Sequence, residues 1–378
     1  MKPLAITGLG SVGPHGTGRA SFEAALRDPE AARERAFASA PTVVPVESAV
    51  GLRLAEAASF DPSEHLGAKG HRNFDRLTKM MIVAAKVALE DAGLKKDGAF
   101  VALGPEVVGV CSATAYGSLD EITELNRVAE LEHPRYLNPT RFPNTVINAP
   151  AGYVSIWEDL RAPNTTLVDG NAGSLDAVLH ASIHLASGRA KAFVVGGGEV
   201  LSEPLCLGLR LAGCAEGELA IGEGVAYAVI EPLDAARARG AAPLARVLGY
   251  GSAFEAPDDE VALVLGSATA VERAVRDALA DAGLSAEAVE GVVSAASGRA
   301  IFDEAEREGL ARVLGRDVPT FEPKRFVGET FGASGAFGLA SAVGWVRGLV
   351  EGASAPKVAL VLAVGLYGNV SAVVVAAA

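Results

Sequence analysis

The sequence predicts an α/β protein made of two duplicated halves packed together in layers, and three observations lead there. Residues 165–188, TTLVDGNAGSLDAVLHASIHLASG, read as a buried strand, a tight turn and a helix in immediate succession. Repetition is the second observation: ALEDAGL followed by VGVCSATA (88–115) returns as ALADAGL followed by EGVVSAAS (278–297). More weakly, LAITGLGS at Leu4 returns as ARVLGYGS at Ala245, and AKAFVVGGGE at Ala190 as KVALVLAVGL at Lys357. Paired segments in the same order imply a duplicated unit of alternating strands and helices. Third, 378 residues, 50% of them hydrophobic and without a long polar tract, suffice for one large core or two fused ones. The halves are expected at residues 1–235 and 236–378, joined near EPLDAARARGAA (231–242).

Taken in order, LAITGLGSVGPHG (4–16) is an apolar strand followed by glycines. Its GLGSVG is similar to a dinucleotide fingerprint, but no acidic residue falls at the right distance on a second strand, so a strand ending in a tight loop is expected and no cofactor. Residues 28–70 show no clean period and are expected to cover the surface. DRLTKMMIVAAKVALEDAG (75–93) has apolar residues at helical spacing and a glycine at its end, which predicts a helix. A buried strand follows at 107–111. In GSLDEITELNRVAE (117–130), Ser118 and Glu121 are spaced as a capping box; Leu119, Ile122 and Leu125 share one face, and Asp120, Glu121 and Glu124 read as a solvated acidic cluster.

At the central stretch, Thr165, Thr166, Leu167 and Val168 suit a strand, while Leu175, Val178, Leu179, Ile183 and Leu185 recur at helical spacing. A sharp strand-to-helix turn presents its tip residue at a helix N-terminus, where backbone amides favour negative charge. Such an elbow suits a nucleophile. Here the tip is Asn171, whose amide is not one. The GGGE at Gly196 reads as close backbone packing at a strand end.

Composition narrows the function classes. Lys and Arg number 33 against 46 Asp and Glu, a net charge of −13, which argues against nucleic acid as a partner. No apolar run is long enough to span a membrane, and MKPLAITGLG enters a strand rather than a signal peptide, so the expected location is cytoplasmic. Cys111, Cys206 and Cys214 are too irregularly spaced for a disulfide framework or zinc site and are expected as buried thiols. His180 and His184 lie four apart on one helix without a carboxylate or thiol to complete a site, so no metal is expected. None of the six histidines lies beyond His184.

Several segments together resemble the β-ketoacyl synthases of the thiolase-like superfamily, over nearly the whole chain. They are ITGLG at the N-terminus, R-x-x-D-R at 72–76, N-x-x-A-G at 148–152, the elbow, and GEGVAYAVIEPLDAARARGA from Gly222. The resemblance implies a thiolase-like fold of two α/β halves in αβαβα layers. It also implies an elbow cysteine and two histidines that decarboxylate the extender unit and stabilise its carbanion. The cysteine's position falls on Asn171. The family's H-G-T-G-T-P-x-x-D-x-x-E falls around ASGRAIFDEAE, keeping Asp303 and Glu306 and placing the first histidine at Ala295, or Ala296 with a one-residue slip. K-x-x-x-G-H falls on KRFVGE, keeping Lys324 and placing the second at Glu329. GLYGNVSA at Gly365 is similar to the family's glycine-rich gate loop, with Leu366 at the gate.

A chain without thiol or imidazole at these positions is not expected to condense acyl thioesters by itself. The resemblance implies a chain-length-factor-like partner of a cysteine-bearing ketosynthase, in polyketide, aryl-polyene or fatty acid synthesis. It further implies an acyl carrier protein that docks mainly on that ketosynthase, and a tunnel lined by Tyr116, Leu119, Ile122 and Leu366. Lys324, Asp303 and Glu306 are expected as a buried charge network. Two alternatives stand beside this: an altered acyl-thioester enzyme using Asn171 with Glu329 or Lys324, and a non-catalytic acyl-binding homodimer.

Overall fold

The computed structural model describes residues 1–38, 40–213, 220–257 and 264–378; Cys214 lies outside them. In the first half the principal strands are β1 (Leu4–Gly13), β2 (Val108–Ala113), β3 (Asn164–Leu167), β4 (Ala192–Glu199) and β5 (Gly224–Pro232). The second half has β6 (Ala245–Phe254), β7 (Gly291–Val293), β8 (Thr320–Phe321), β9 (Val358–Val364) and β10 (Asn369–Ala377). Their spatial order is β3-β2-β4-β5-β1 and then β6-β10-β9-β7-β8, so the second half runs as the mirror of the first. Each half joins three parallel strands to two antiparallel ones. They meet where β1 and β6 pair antiparallel, Leu4 opposite Val247 and Ile6 opposite Ala245.

The helices include α1 (Arg76–Asp91), α2 (Leu119–Arg127), α3 (Ala149–Trp157), α4 (Gly173–Ala186), α5 (Ala268–Ala282), α6 (Ala300–Leu314) and α7 (Ser334–Val346). Helices α1 and α3 cover the outer face of the first half, and α5 and α6 that of the second. Between the halves lie α4 and α7, each touching strands of both. This is the thiolase-like αβαβα arrangement. All thirteen residues of α7, SGAFGLASAVGWV, are buried, as a helix without a charged side chain in a central layer requires.

The repeated segments acquire a physical meaning. Both β1 and β6 carry a bulge, after Ile6 and after Val247, and glycines follow each one. A Cβ on Gly10 would stand 2.1 Å from the Ala84 carbonyl of α1, and one on Gly251 would stand 2.2 Å from the Ala274 carbonyl of α5. Only glycine allows that approach. The GLGS glycines are thus strand residues packed on a helix, and the expected early loop is corrected: β1 continues to Gly13. The aspartates of the two DAGL segments satisfy the N–H groups beside the bulges. Leu9 N–H donates to Asp91 at 2.9 Å and Tyr250 N–H to Asp281 at 3.0 Å.

Helix α1 starts as predicted, with Asp75 accepting from Thr78 N–H. The expected capping box at α2 does not form. Ser118 precedes the helix, but its hydroxyl donates to Asp75, and Glu121 instead takes a two-pronged ion pair from Arg141 at 2.7 and 2.8 Å. Glu121 is therefore buried, which corrects its assignment to a solvated cluster, while Asp120 is exposed. Cys111 and Cys206 are buried free thiols. Burial raises their pKa values to about 12 and about 11, far from a reactive thiolate. The His184 ring stacks on Phe193. Among the described residues, no helix is long and apolar enough to cross a membrane, and no group of His, Cys, Asp and Glu is arranged to hold a metal.

Candidate functional site

The site begins where β3 ends. Gly170 takes a left-handed φ of 52°, which turns the chain within a three-residue turn, Gly170–Ala172, into α4. That turn puts Asn171 in the lining of a cavity of about 270 Å³, together with Tyr116, Val168, Phe254, Leu366 and Tyr367. Asn171 is 1% exposed, and its amide oxygen is buried without a partner. An amide here can orient a polar atom of a bound group through hydrogen bonds, and it forms no covalent bond to an acyl carbon.

Across from the elbow, a second turn, Phe331–Ala333, leads into α7 and packs on the first. Phe331 has a φ of 42°, a strained conformation for a bulky residue. Glu329 stabilises it: Oε1 accepts from Phe331 N–H at 2.8 Å, while Oε2 takes the Lys324 ammonium at 2.6 Å. Both partners of that ion pair are buried. Lys324 also donates to the Ala295 carbonyl at 2.7 Å, and Ala295 N–H donates to Glu306 at 2.9 Å. Asn171, Glu329 and Ala295 are thus tied together by hydrogen bonds and turn contacts, with neither a thiol nor an imidazole among them.

The expected charge network needs correction in its wiring. Lys324 pairs directly with Glu329. Asp303 and Glu306 instead hold the 294–298 loop through hydrogen bonds, Asp303 accepting from Ser297 and Gly298 N–H at 2.9 Å each, and Glu306 from the Ser294 hydroxyl as well as Ala295. Burial dominates at Glu306 and raises its pKa to about 7, against the pull of the Ser294 hydrogen bond and the Lys324 charge.

The four tunnel candidates separate. Tyr116 and Leu366 line the Asn171 cavity, and Leu119 packs in the apolar cluster beneath them with Phe331 and Leu205. The Tyr116 ring meets Phe331 edge-on at 5.2 Å. Ile122 lies elsewhere: with Leu125, Leu137 and Phe142 it lines a separate apolar groove of about 640 Å³. The turn of α2 between Leu119 and Ile122 carries the chain from one space to the other.

Two residues escaped sequence reasoning. Glu199, at the end of β4, is fully buried and accepts from Ala115 N–H at 2.7 Å, Thr114 hydroxyl at 3.1 Å, Tyr116 N–H at 3.3 Å and Gly332 N–H at 3.4 Å. It binds the Tyr116 loop to the Phe331 turn. Burial outweighs these donors and raises its pKa to about 7. The acidic end of GGGE, in a run otherwise fit for a buried strand, was the available signal. Asn369, beside the gate loop, donates to the backbone and side-chain oxygens of Asp169, both at 3.0 Å, and fastens that loop to the elbow.

The family model for the β-ketoacyl synthase N-terminal domain matches residues 1–213, and that for the C-terminal domain matches residues 244–350. The tetracenomycin polyketide synthase ketoacyl synthase beta subunit of Streptomyces glaucescens is 31% identical over 92% of this chain and 86% of its own. A 3-oxoacyl-[acyl-carrier-protein] synthase 2 of Vibrio cholerae serotype O1 is 30% identical over 73% of this chain and 71% of its own. Among solved structures, the ishigamide ketosynthase/chain length factor superposes with a TM-score of 0.86 at 20% identity, covering 100% of this chain and 99% of the other.

Proposed function

Because the chain belongs to the β-ketoacyl synthase family, we propose that it is a non-condensing, chain-length-factor-like subunit that works in the cytoplasm with a cysteine-bearing ketosynthase. The observation that carries this reading is Asn171: the elbow, the central helix and the cavity are built, and the residue at the tip is an amide. Glu329 and Lys324 neutralise each other and line no part of that cavity, which weighs against the reading in which they act as acid and base. The similarity to a ketoacyl synthase beta subunit supports the pairing.

The partner ketosynthase docks at β3. This strand ends the sheet and is paired on one side only, by β2, so its other edge offers free backbone donors and acceptors. Exposed Val168, Ile156 and Phe142 supply apolar area for a large interface. An acyl carrier protein engages mainly the partner, since this subunit at −13 repels an acidic carrier. Tyr116 and Leu366 line the cavity in which the acyl chain extends, and Leu119 backs that wall from the apolar cluster around Phe331.

Co-expression with a cysteine-bearing ketosynthase tests the reading. A one-to-one complex is expected by mass, and neither this chain alone nor its Asn171→Cys variant should form a β-ketoacyl product. In the reconstituted complex, Leu119→Ala should lengthen the product by about one extension unit while costing about 2 to 3 kcal/mol of packing. Condensation by the isolated chain would refute the reading, and an unchanged product length would show that the packing of Leu119 behind the cavity does not limit the chain.

A further inference from the structure

We propose that a second cavity, lined by Ala296, Ser297 and Gly298 of the 294–298 loop, binds a phosphate group. This cavity of about 240 Å³ shares no residue with the one at Asn171, and the proposal does not depend on the chain shaping an acyl product. Its volume is below the roughly 300–1,000 Å³ of pockets for drug-sized ligands, so the occupant is a small group.

Lys324 forms part of the cavity wall as a buried ammonium. Two of its three donors are taken, by the Ala295 carbonyl at 2.7 Å and Glu329 at 2.6 Å, and the third has no protein acceptor among the described residues. Arg53 approaches from the rim with its guanidinium 4.8 Å over the Phe37 ring, and it makes no ion pair among the described residues. Arg33 and Arg325 are also at the cavity, each with a single long contact to a carboxylate, Glu30 at 3.4 Å and Glu322 at 3.6 Å. Each guanidinium has five donors, so most of theirs remain available.

Two carboxylates line the same space. Asp303 is engaged by the Ser297 and Gly298 N–H groups, and Glu322 faces Arg325. Lys324, Arg33 and Arg325 each have a carboxylate partner and Arg53 has none among the described residues, so the pocket gathers guanidinium and ammonium donors that its own carboxylates leave largely unused, in a chain whose net charge is −13. The chemistry favours phosphate over carboxylate. Donors on four side chains around the pocket suit a tetrahedral dianion, whose three terminal oxygens can meet guanidinium forks from several directions, better than a planar carboxylate, whose acceptors lie in one plane.

Calorimetric titration of the full chain with inorganic phosphate at constant ionic strength tests this. One saturable site is expected. Arg53→Ala should weaken it about tenfold, a change of about 1.4 kcal/mol. Arg33→Ala, which leaves the Lys324–Glu329 pair intact, should weaken it about threefold. Arg161→Ala, at an exposed pair with Asp159, should change nothing. Glycerol 2-phosphate distinguishes the source: binding as tight as phosphate identifies a monoester, and much weaker binding identifies the free ion, either result supporting the site. Absence of saturable binding, equal loss in Arg161→Ala, or tighter binding of malonate than of phosphate would overturn the proposal.

Discussion

In the first half of the chain Gly8 and Gly10 let β1 lie against α1, and Asp91 takes the N–H beside the bulge; in the second, Gly249, Gly251 and Asp281 do the same for β6 and α5. The turns that open the two central helices do not match in this way. At the elbow a glycine supplies the left-handed residue, at φ 52°, whereas opposite it Phe331 takes φ 42° with a full side chain. The difference teaches where the fold is tolerant. Helix-to-sheet contact is governed by backbone proximity, which few side chains satisfy, so both copies use the same solution. A turn can hold a strained residue wherever neighbours over-determine it, and here two buried carboxylates, Glu329 and Glu199, hold the Phe331 turn.

That contrast can be broken by experiment, most forcefully at the clamp. Glu329→His, which puts an imidazole at the position, leaves Lys324 buried without its counter-ion and frees Phe331 N–H, so a loss of about 3 to 5 kcal/mol is expected in urea unfolding. A loss below about 1 kcal/mol would show that the strained turn needs no clamp. The duplicated contact comes next. Gly10→Ala and Gly251→Ala each drive a methyl into a helix carbonyl and should each cost about 3 kcal/mol, and a tolerated substitution in either half would end the equivalence.

A smaller effect concerns pH. Glu199 in the first half and Glu306 in the second have pKa values raised from 4.5 to about 7, with burial as the largest cause in both. Between these pH values the folded chain keeps protons that the unfolded chain has released. Stability due to these groups is therefore full below pH 4.5 and is lost as pH rises through 7. Thermal scans should show the melting temperature falling by about 5 °C from pH 5 to 8, with a flatter profile in Glu199→Gln. A rise over that interval would contradict the assignment. The mildest test is the pair Asp91→Asn and Asp281→Asn, each expected to cost about 1 kcal/mol through the weakened acceptor at the bulge.

Much of the scaffold was legible in the residues themselves. Periodicity located α1, the duplicated DAGL segments announced two related halves, and the strand, turn and helix around Asn171 could be read because local pattern specifies local conformation. Glu199 was not legible as a brace, since its four donors come from two loops 84 and 133 residues away. Nor could sequence tell that Ser118 would bond Asp75 instead of capping its own helix, or that Ile122 would open on a different groove from Tyr116. By itself the sequence determined the α/β class, the duplication and the identity of Asn171 at the elbow, all of which follow from residue type and spacing along one segment. Only the tertiary structure decided which carboxylate the buried Lys324 meets: it takes Glu329, five residues on, and the Ala295 carbonyl, while Asp303 and Glu306 turn to the backbone of the 294–298 loop, because buried charges choose partners by proximity in the packed core.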